Sequence, residues 1–308
     1  MNKYRLVTRS DMDGLVCAVL LKHIDLINEI KFVHPKDMQD GIIEISENDI
    51  ITNLPYYKQA HLVFDHHESE SLRNEKADNH IIIPDAPSAA RVVYDYYTKQ
   101  GVKFPENWND MMVAVDKADS AKFSMDDVLN PKGWEFLSFL MDSRTGLGRF
   151  RDFRISNYNL MMDLIDCCKN HTIDEIMKLP DVVERSELYL KHQDDFKEQL
   201  QRCSKVYKNL VVLDLSNEAI IYPGNRFMIY ALYPECNISI HKILGFKGQN
   251  MVYATGKSIF NRTSKTNIGE LMLKYGGGGH EAAGTCQVNH DVADVVLNEL
   301  IAKINADG

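Results

Sequence analysis

The chain has 308 residues, 44% of them hydrophobic and 26% charged, with a formal net charge of −9. That length predicts two domains of ordinary size, and the negative balance excludes a chain that grips long polyanions through its overall field. Any phosphate-bearing ligand must be met by a local basic pocket. Six cysteines without a Cys-x-x-Cys pair point to a reducing compartment. Residues 1–9 do not read as a signal peptide, and no apolar run is long enough to span a membrane, so a cytoplasmic protein with no membrane partner is expected.

Tyr4–Thr8 reads as a first strand. It leads through Arg9-Ser10-Asp11-Met12-Asp13-Gly14 into an apolar helix over Leu15–Leu21. Asp11 and Asp13, two apart in a loop, can both face one cation, and Gly14 permits the tight turn into the helix. A helix N-cap is the competing reading of Asp13. Further strands are predicted at Glu29–His34, at Asp49–Pro55 (ended by its proline), at His61–His67 and at His80–Pro84. Leu62-Val63-Phe64 reads as a buried strand that delivers Asp65-His66-His67 at its C-terminal end. Open α/β sheets place their sites at such ends, and imidazole with carboxylate suits Mn, Fe or Zn. A helix over Pro87–Tyr97 follows, and another from Trp108 to Val115 delivers Asp116, with Asp119 three residues on along the same helix end. Strands alternating with helices predict a mainly parallel sheet flanked by helices.

Trp134–Leu140 and Asn157–Cys168 read as helices, and Leu179–Val206 as one long charged helix. Composition then shifts. Leu210–Leu215, Glu218–Tyr222, Phe227–Leu232, Asn237–Leu244 and Met251–Thr255 read as strands, with helices at Ile268–Tyr275 and Val292–Asn305. The expected architecture is α/β in three parts. Residues 1–182 form the parallel-sheet domain, 183–207 a linker helix, and 208–308 a smaller α/β domain with a mixed sheet.

Two more stretches carry chemistry. Gly276-Gly277-Gly278-Gly279-His280-Glu281-Ala282-Ala283-Gly284 combines backbone freedom with N–H groups able to cradle a phosphate. Asn261-Arg262-Thr263 upstream supplies a guanidinium fork and a hydroxyl for the same anion. The Gly- and Arg-rich stretch Asp142–Phe150 is open between a cleft-facing loop and a surface connection.

Together these motifs resemble the DHH phosphoesterases with a DHHA1 C-terminal domain, in the exopolyphosphatase-related and nanoRNase-like branch. The resemblance covers nearly the whole chain. It implies a hydrolase with Mn²⁺ in the first domain, substrate bound by the second, and an interdomain cleft. Asp11 and Asp13 match the first motif. Asp65, His66 and His67 match the third, with His66 the metal ligand and His67 nearer the substrate. Asp116 matches the fourth by its distance from Asp65, with Asp119 as rival. Asn261, Arg262, Thr263, Gly277, Gly278, Gly279 and His280 match the substrate clamp.

Two positions depart from the family. Arg9 stands where it usually has a histidine, and Asn53 where it usually has the aspartate that bridges two metals. Losing one divalent ion is offset in charge by a gained arginine and a lost carboxylate. One Mn²⁺ is therefore expected, held by Asp13, His66 and Asp116, with Asp11 as ligand, base or partner of Arg9. Asp11, Asp65, His67 and Arg9 form the expected catalytic set. The expected activity is hydrolysis of a short nucleotide-type phosphodiester or phosphomonoester. A nucleotide- or polyphosphate-binding protein without turnover and an exopolyphosphatase are the alternatives. Partners are then a small phosphate compound or a short oligonucleotide, with a homodimer as the candidate assembly. Work on long single strands is disfavoured by the lack of a basic, aromatic channel.

Overall fold

Strand β1 (Tyr4–Arg9) organises the first half of the chain. It feeds helix α1 (Met12–His23) and pairs in parallel with β2 (Ile27–Val33) and β3 (Asp49–Thr52). Strands β4 (Leu62–Asp65) and β5 (His80–Ile82) extend the sheet, giving the parallel order β2-β1-β3-β4-β5. Leu6, Val7, Ile50, Ile51, Val63 and Phe64 are fully buried. Both faces are covered, so these strands read as apolar runs rather than alternating patterns. Helix α1 is buried from Met12 to Leu21, as a helix apolar on all sides must be. Around it pack α2 (Ala89–Lys99), α3 (Asn109–Asp119) and, beyond α4 (Gly133–Met141), α5 (Asn157–Asn170). The register pairs Thr8 with Thr52 and Thr52 with Phe64. The next residues, Arg9, Asn53 and Asp65, therefore come level at the C-terminal edge of three adjacent strands.

The computed structural model describes residues 3–67, 70, 75–150 and 152–308. They fall into two units, Met1–Phe123 with Pro131–Leu188 and Ser124–Asn130 with Tyr189–Gly308. The boundary lies inside α6 (Pro180–Lys191), which gives way at His192 to α7 (Gln193–Cys203). The single helix expected over Leu179–Val206 is thus two helices, and its last residues open strand β6 (Ser204–Tyr207). The second unit's sheet adds β7 (Leu210–Asp214), β8 (Ile238–Leu244), β9 (Met251–Lys257), β10 (Gly278–His280) and β11 (Ala283–Val288). Its order is β10-β11-β9-β8-β7-β6, with only β7 and β8 parallel. Leu210, Val212, Ile238, Ile240 and Tyr253 on one face pack against Leu271, Met272, Leu300 and Ile304 of α9 (Ile268–Leu273) and α10 (His290–Asp307), which follow α8 (Met228–Leu232) in the chain.

Two expected strands are absent among the described residues. Phe227–Leu232 is largely helical, since a short apolar run has no period that separates buried helix from strand. Glu218–Tyr222 is irregular and is held by side chains of α7. Gln199 donates to Ile220 O at 2.7 Å and accepts from Tyr222 N at 3.1 Å, and Arg202 pairs with Glu218 at 2.7 Å.

Candidate active site

Asp11, rather than Asp13, is the N-cap of α1. Its Oδ1 accepts from Gly14 N at 3.1 Å, and its Oδ2 lies 3.0 Å from Arg9 Nε. Gly14 is required because a Cβ there would lie 1.9 Å from Arg9 O. Asp13 then points inward from the first turn, 2% exposed. Its Oδ2 accepts from Ala89 N at 3.1 Å and its Oδ1 from Ala90 N at 2.7 Å, both at the start of α2. The helix N-terminus favours that negative charge. Burial and the nearby Asp119 and Asp11 carboxylates nevertheless push its pKa well above the usual range. A bound cation relieves that kind of strain.

His66 follows β4. Its Nδ1 sits 3.0 Å from Ala86 O, a contact that favours the proton on Nδ1 and leaves Nε2 as the nitrogen available to a metal. Nε2 lies 2.8 Å from Asp119 Oδ2 at the end of α3, yet has no aligned hydrogen-bond partner among the described residues. Burial opposes a charged ring. Contact with Asp119 and the charge of Asp13 outweigh it, and the pKa rises to about 9. One ligand atom each from Asp13, His66 and Asp119 lie within 4.8 Å of one another. Carboxylate, imidazole and carboxylate form a donor set that suits a divalent transition metal.

Asp116 does not join this cluster. Its Oδ1 accepts from Ser88 Oγ at 2.7 Å, and its Oδ2 takes Arg91 Nε at 3.0 Å and Nη2 at 2.6 Å. Ser88 caps α2, the helix whose first N–H groups hold Asp13. Asp116 thus braces the helix start that seats Asp13, and Asp119, rather than Asp116, lies with Asp13 and His66. The sequence did not reveal this Ser88–Arg91 support. Its only trace is the small-residue run Ser88-Ala89-Ala90, which lets backbone N–H groups approach a carboxylate.

Asp65 is fully buried. Its Oδ1 accepts from His66 N at 2.8 Å and lies 2.7 Å from His67 Nδ1. Its Oδ2 has no partner among the described residues, and neither polar atom of Asn53 has one. Asn53 is 2% exposed with φ +54. Unpaired buried polar atoms at one sheet edge fit a site completed by an ion or its water.

The remaining expected residues belong to the second unit. Asn261 accepts from Thr263 Oγ1 at 2.7 Å and donates to Glu235 O at 3.2 Å, while Asn237 donates to Thr263 at 3.1 Å. Arg262 is exposed, with Nε on Ile259 O at 3.0 Å. The glycine run is more structured than a loop. Gly276 N bonds to Leu273 O and Gly277 N to Met272 O, the paired C-cap of α9, with Gly276 at φ +74. A Cβ on Gly277 would meet Thr285 O at 2.1 Å, and one on Gly279 would meet Ala283 O at 2.3 Å. Those N–H groups and close approaches are used within the chain, which corrects the expectation that the whole run faces a ligand. Gly278 alone of this run both keeps open space at its Cβ and lies on the exposed edge strand β10, with His280 two residues on.

No protein-family model matches the chain, and no curated protein matches it. Among solved structures it is similar to the pGpG-specific phosphodiesterase PggH from Vibrio cholerae, at 66% identity, covering 99% of this chain and 100% of that one, with a TM-score of 0.86. RecJ from Thermus thermophilus in complex with Mn²⁺ shares the fold at 12% identity and a TM-score of 0.53, over 99% of this chain and 52% of that one. Exonuclease RecJ bound to manganese does so at 13% identity and a TM-score of 0.50, over 99% and 90%. With two-thirds of its residues identical to PggH along its whole length, and with Asp-His-His at the edge of a RecJ-like sheet, the chain belongs to the DHH phosphoesterase superfamily.

Proposed function

We propose that this protein is a metal-dependent phosphodiesterase that hydrolyses a short linear nucleotide of the pGpG type. The observation that carries the reading is the Asp13–His66–Asp119 cluster in a chain 66% identical to a pGpG-specific phosphodiesterase. Asp13, His66 and Asp119 would hold one Mn²⁺. When bound, such an ion makes a water acidic enough to attack phosphorus and stabilises charge on the phosphoryl oxygens. The chain's own residues do the rest. Asp65 holds the proton of His67 on Nδ1, leaving Nε2 as the nitrogen that moves a proton. Arg9, anchored on Asp11, offers cationic charge to a phosphate. The second unit carries its own phosphate-binding chemistry, the guanidinium of Arg262, the open strand edge at Gly278 and the imidazole of His280. Free cysteines throughout support a cytoplasmic setting.

A second reading, nucleotide binding without turnover, is favoured by one observation. The strand edge carries the neutral amide of Asn53 where the family's bridging carboxylate is expected. Both readings meet one experiment, in which pGpG, pApA, pAp, bis-p-nitrophenyl phosphate and polyphosphate are offered with Mn²⁺. The phosphodiesterase reading expects pGpG to be cleaved fastest, with activity lost on EDTA treatment and in Asp13→Ala. Binding of the panel without cleavage of any member would establish the second reading.

A further inference from the structure

Asn53 follows β3, and the site above leaves its side chain without a use. The residue is 2% exposed, its Oδ1 and Nδ2 are both shut off from solvent, and neither has a hydrogen-bond partner among the described residues. A buried amide in that state is costly, and native proteins rarely leave one so. Its backbone is held at φ +54, in the left-handed region that asparagine, aspartate and glycine tolerate best.

Contacts on both sides fix where this amide belongs. On one side Asn53 N donates to Phe64 O at 3.1 Å, two residues before His66. On the other, Thr8 Oγ1 donates to Thr52 O at 3.2 Å, the carbonyl of the peptide that leads into Asn53. The same Thr8 Oγ1 packs against Gly14, where a Cβ would lie 2.7 Å from it. Gly14 is the neighbour of Asp13 in the first turn of α1. Asn53 therefore lies between the strand end that delivers His66 and the helix turn that delivers Asp13. Asp65 Oδ2, a second buried oxygen without a partner, stands at the same edge.

The charges of the cluster call for a neutral oxygen at this place. Asp13 and Asp119 bring two negative charges and His66 Nε2 brings none, which balances one divalent ion. Asp11 is already matched by Arg9 at 3.0 Å. An amide oxygen adds a ligand without adding charge, and it is of the hard type that suits Mn²⁺ beside carboxylates.

We propose that Asn53 Oδ1 is the fourth protein ligand of a single Mn²⁺ held with Asp13, His66 and Asp119. Nδ2 is then the donor for the unpaired oxygen of Asp65. Neutrality at position 53 sets the ion count at one, because a carboxylate there would be a buried charge that one divalent ion does not balance. The ligand role rests on the metal-dependent reading above.

The test is calorimetric titration of Mn²⁺ into the EDTA-treated, desalted full chain. Bound Mn²⁺ per chain is counted by electron paramagnetic resonance at saturation, and urea unfolding is run on the same metal-free proteins. Glycine and aspartate both accept the backbone of position 53, so their effects report the side chain. Wild type is expected to bind one ion. Asn53→Gly is expected to bind one ion about tenfold or more weaker, with its metal-free urea midpoint no lower than that of wild type. Asn53→Asp is expected to bind two. Mn²⁺ affinity of Asn53→Gly within about twofold of wild type would overturn the ligand role, and weaker binding together with a lowered metal-free midpoint would make Asn53 scaffold. Two ions on wild type, or one on Asn53→Asp, would overturn the link between neutrality and ion count. A wild type that binds no Mn²⁺ removes the metal-dependent reading itself, whereas an unaffected Asn53→Gly beside a one-ion wild type removes only the role of Asn53.

Discussion

At the scale of single residues, the site turns on which of two aspartates on one helix end meets His66. Their spacing of three places both on the same face, so chain position alone could not separate them. The tertiary partners do. Arg91 and Ser88 occupy Asp116, while Asp119 lies against His66. Asp119→Asn is therefore expected to abolish stoichiometric Mn²⁺ binding, measured by elemental analysis after gel filtration. Asp116→Asn is expected to keep the ion, with affinity reduced by about tenfold, as for a group that orients a ligand from behind. Equal loss of metal in both variants would return the ligand role to Asp116. Asp13 and His66, which the structure brings together with Asp119, were legible because each follows a strand, where an acid or imidazole after an apolar run has few structural uses. The Ala89 and Ala90 N–H groups that seat Asp13 were not legible, since backbone donors leave no mark in residue identity.

At the scale of elements, the parallel strands were readable because burial on both faces leaves uninterrupted apolar runs. The second unit was harder. There Phe227–Leu232 is apolar because it is covered, and coverage does not fix its period. The glycine run shows how composition compresses several causes into one signal. Gly276 serves a helix end, Gly277 and Gly279 serve close packing, and Gly278 lies open. Stability should separate them. Gly277→Ala drives a methyl into Thr285 O and Cys286 Cα, backbone atoms of a paired strand, and is expected to cost about 2–3 kcal/mol or more. Gly278→Ala meets nothing within 4 Å and is expected to stay within about 0.5 kcal/mol of wild type in urea unfolding. Its effect should appear in KM instead. A Gly278→Ala protein as unstable as Gly277→Ala would mean that the whole run is a packing device.

At the scale of the molecule, the two units have separate cores, and a half-buried histidine in one of them should make their responses to acid differ. His241 lies half-buried on β8 of the second unit, and burial with the nearby Arg226 charge lowers its pKa to about 4. Unfolded histidine titrates near 6.5. Between those values the unfolded chain binds the extra proton, so stability rises with pH there. The contribution is complete above about pH 6.5 and is lost as pH falls toward 4, by about 2–3 kcal/mol at most. Both tryptophans, Trp108 and Trp134, belong to the first unit. Tryptophan fluorescence therefore follows that unit, while far-ultraviolet circular dichroism follows both. Lowering pH from 7 to 4.5 is expected to move the circular-dichroism urea transition to lower denaturant ahead of the fluorescence transition, and His241→Gln is expected to remove the part due to this residue. Coincident transitions at every pH would mean that the two units unfold as one. A His241→Gln protein with wild-type acid sensitivity would place the proton uptake elsewhere.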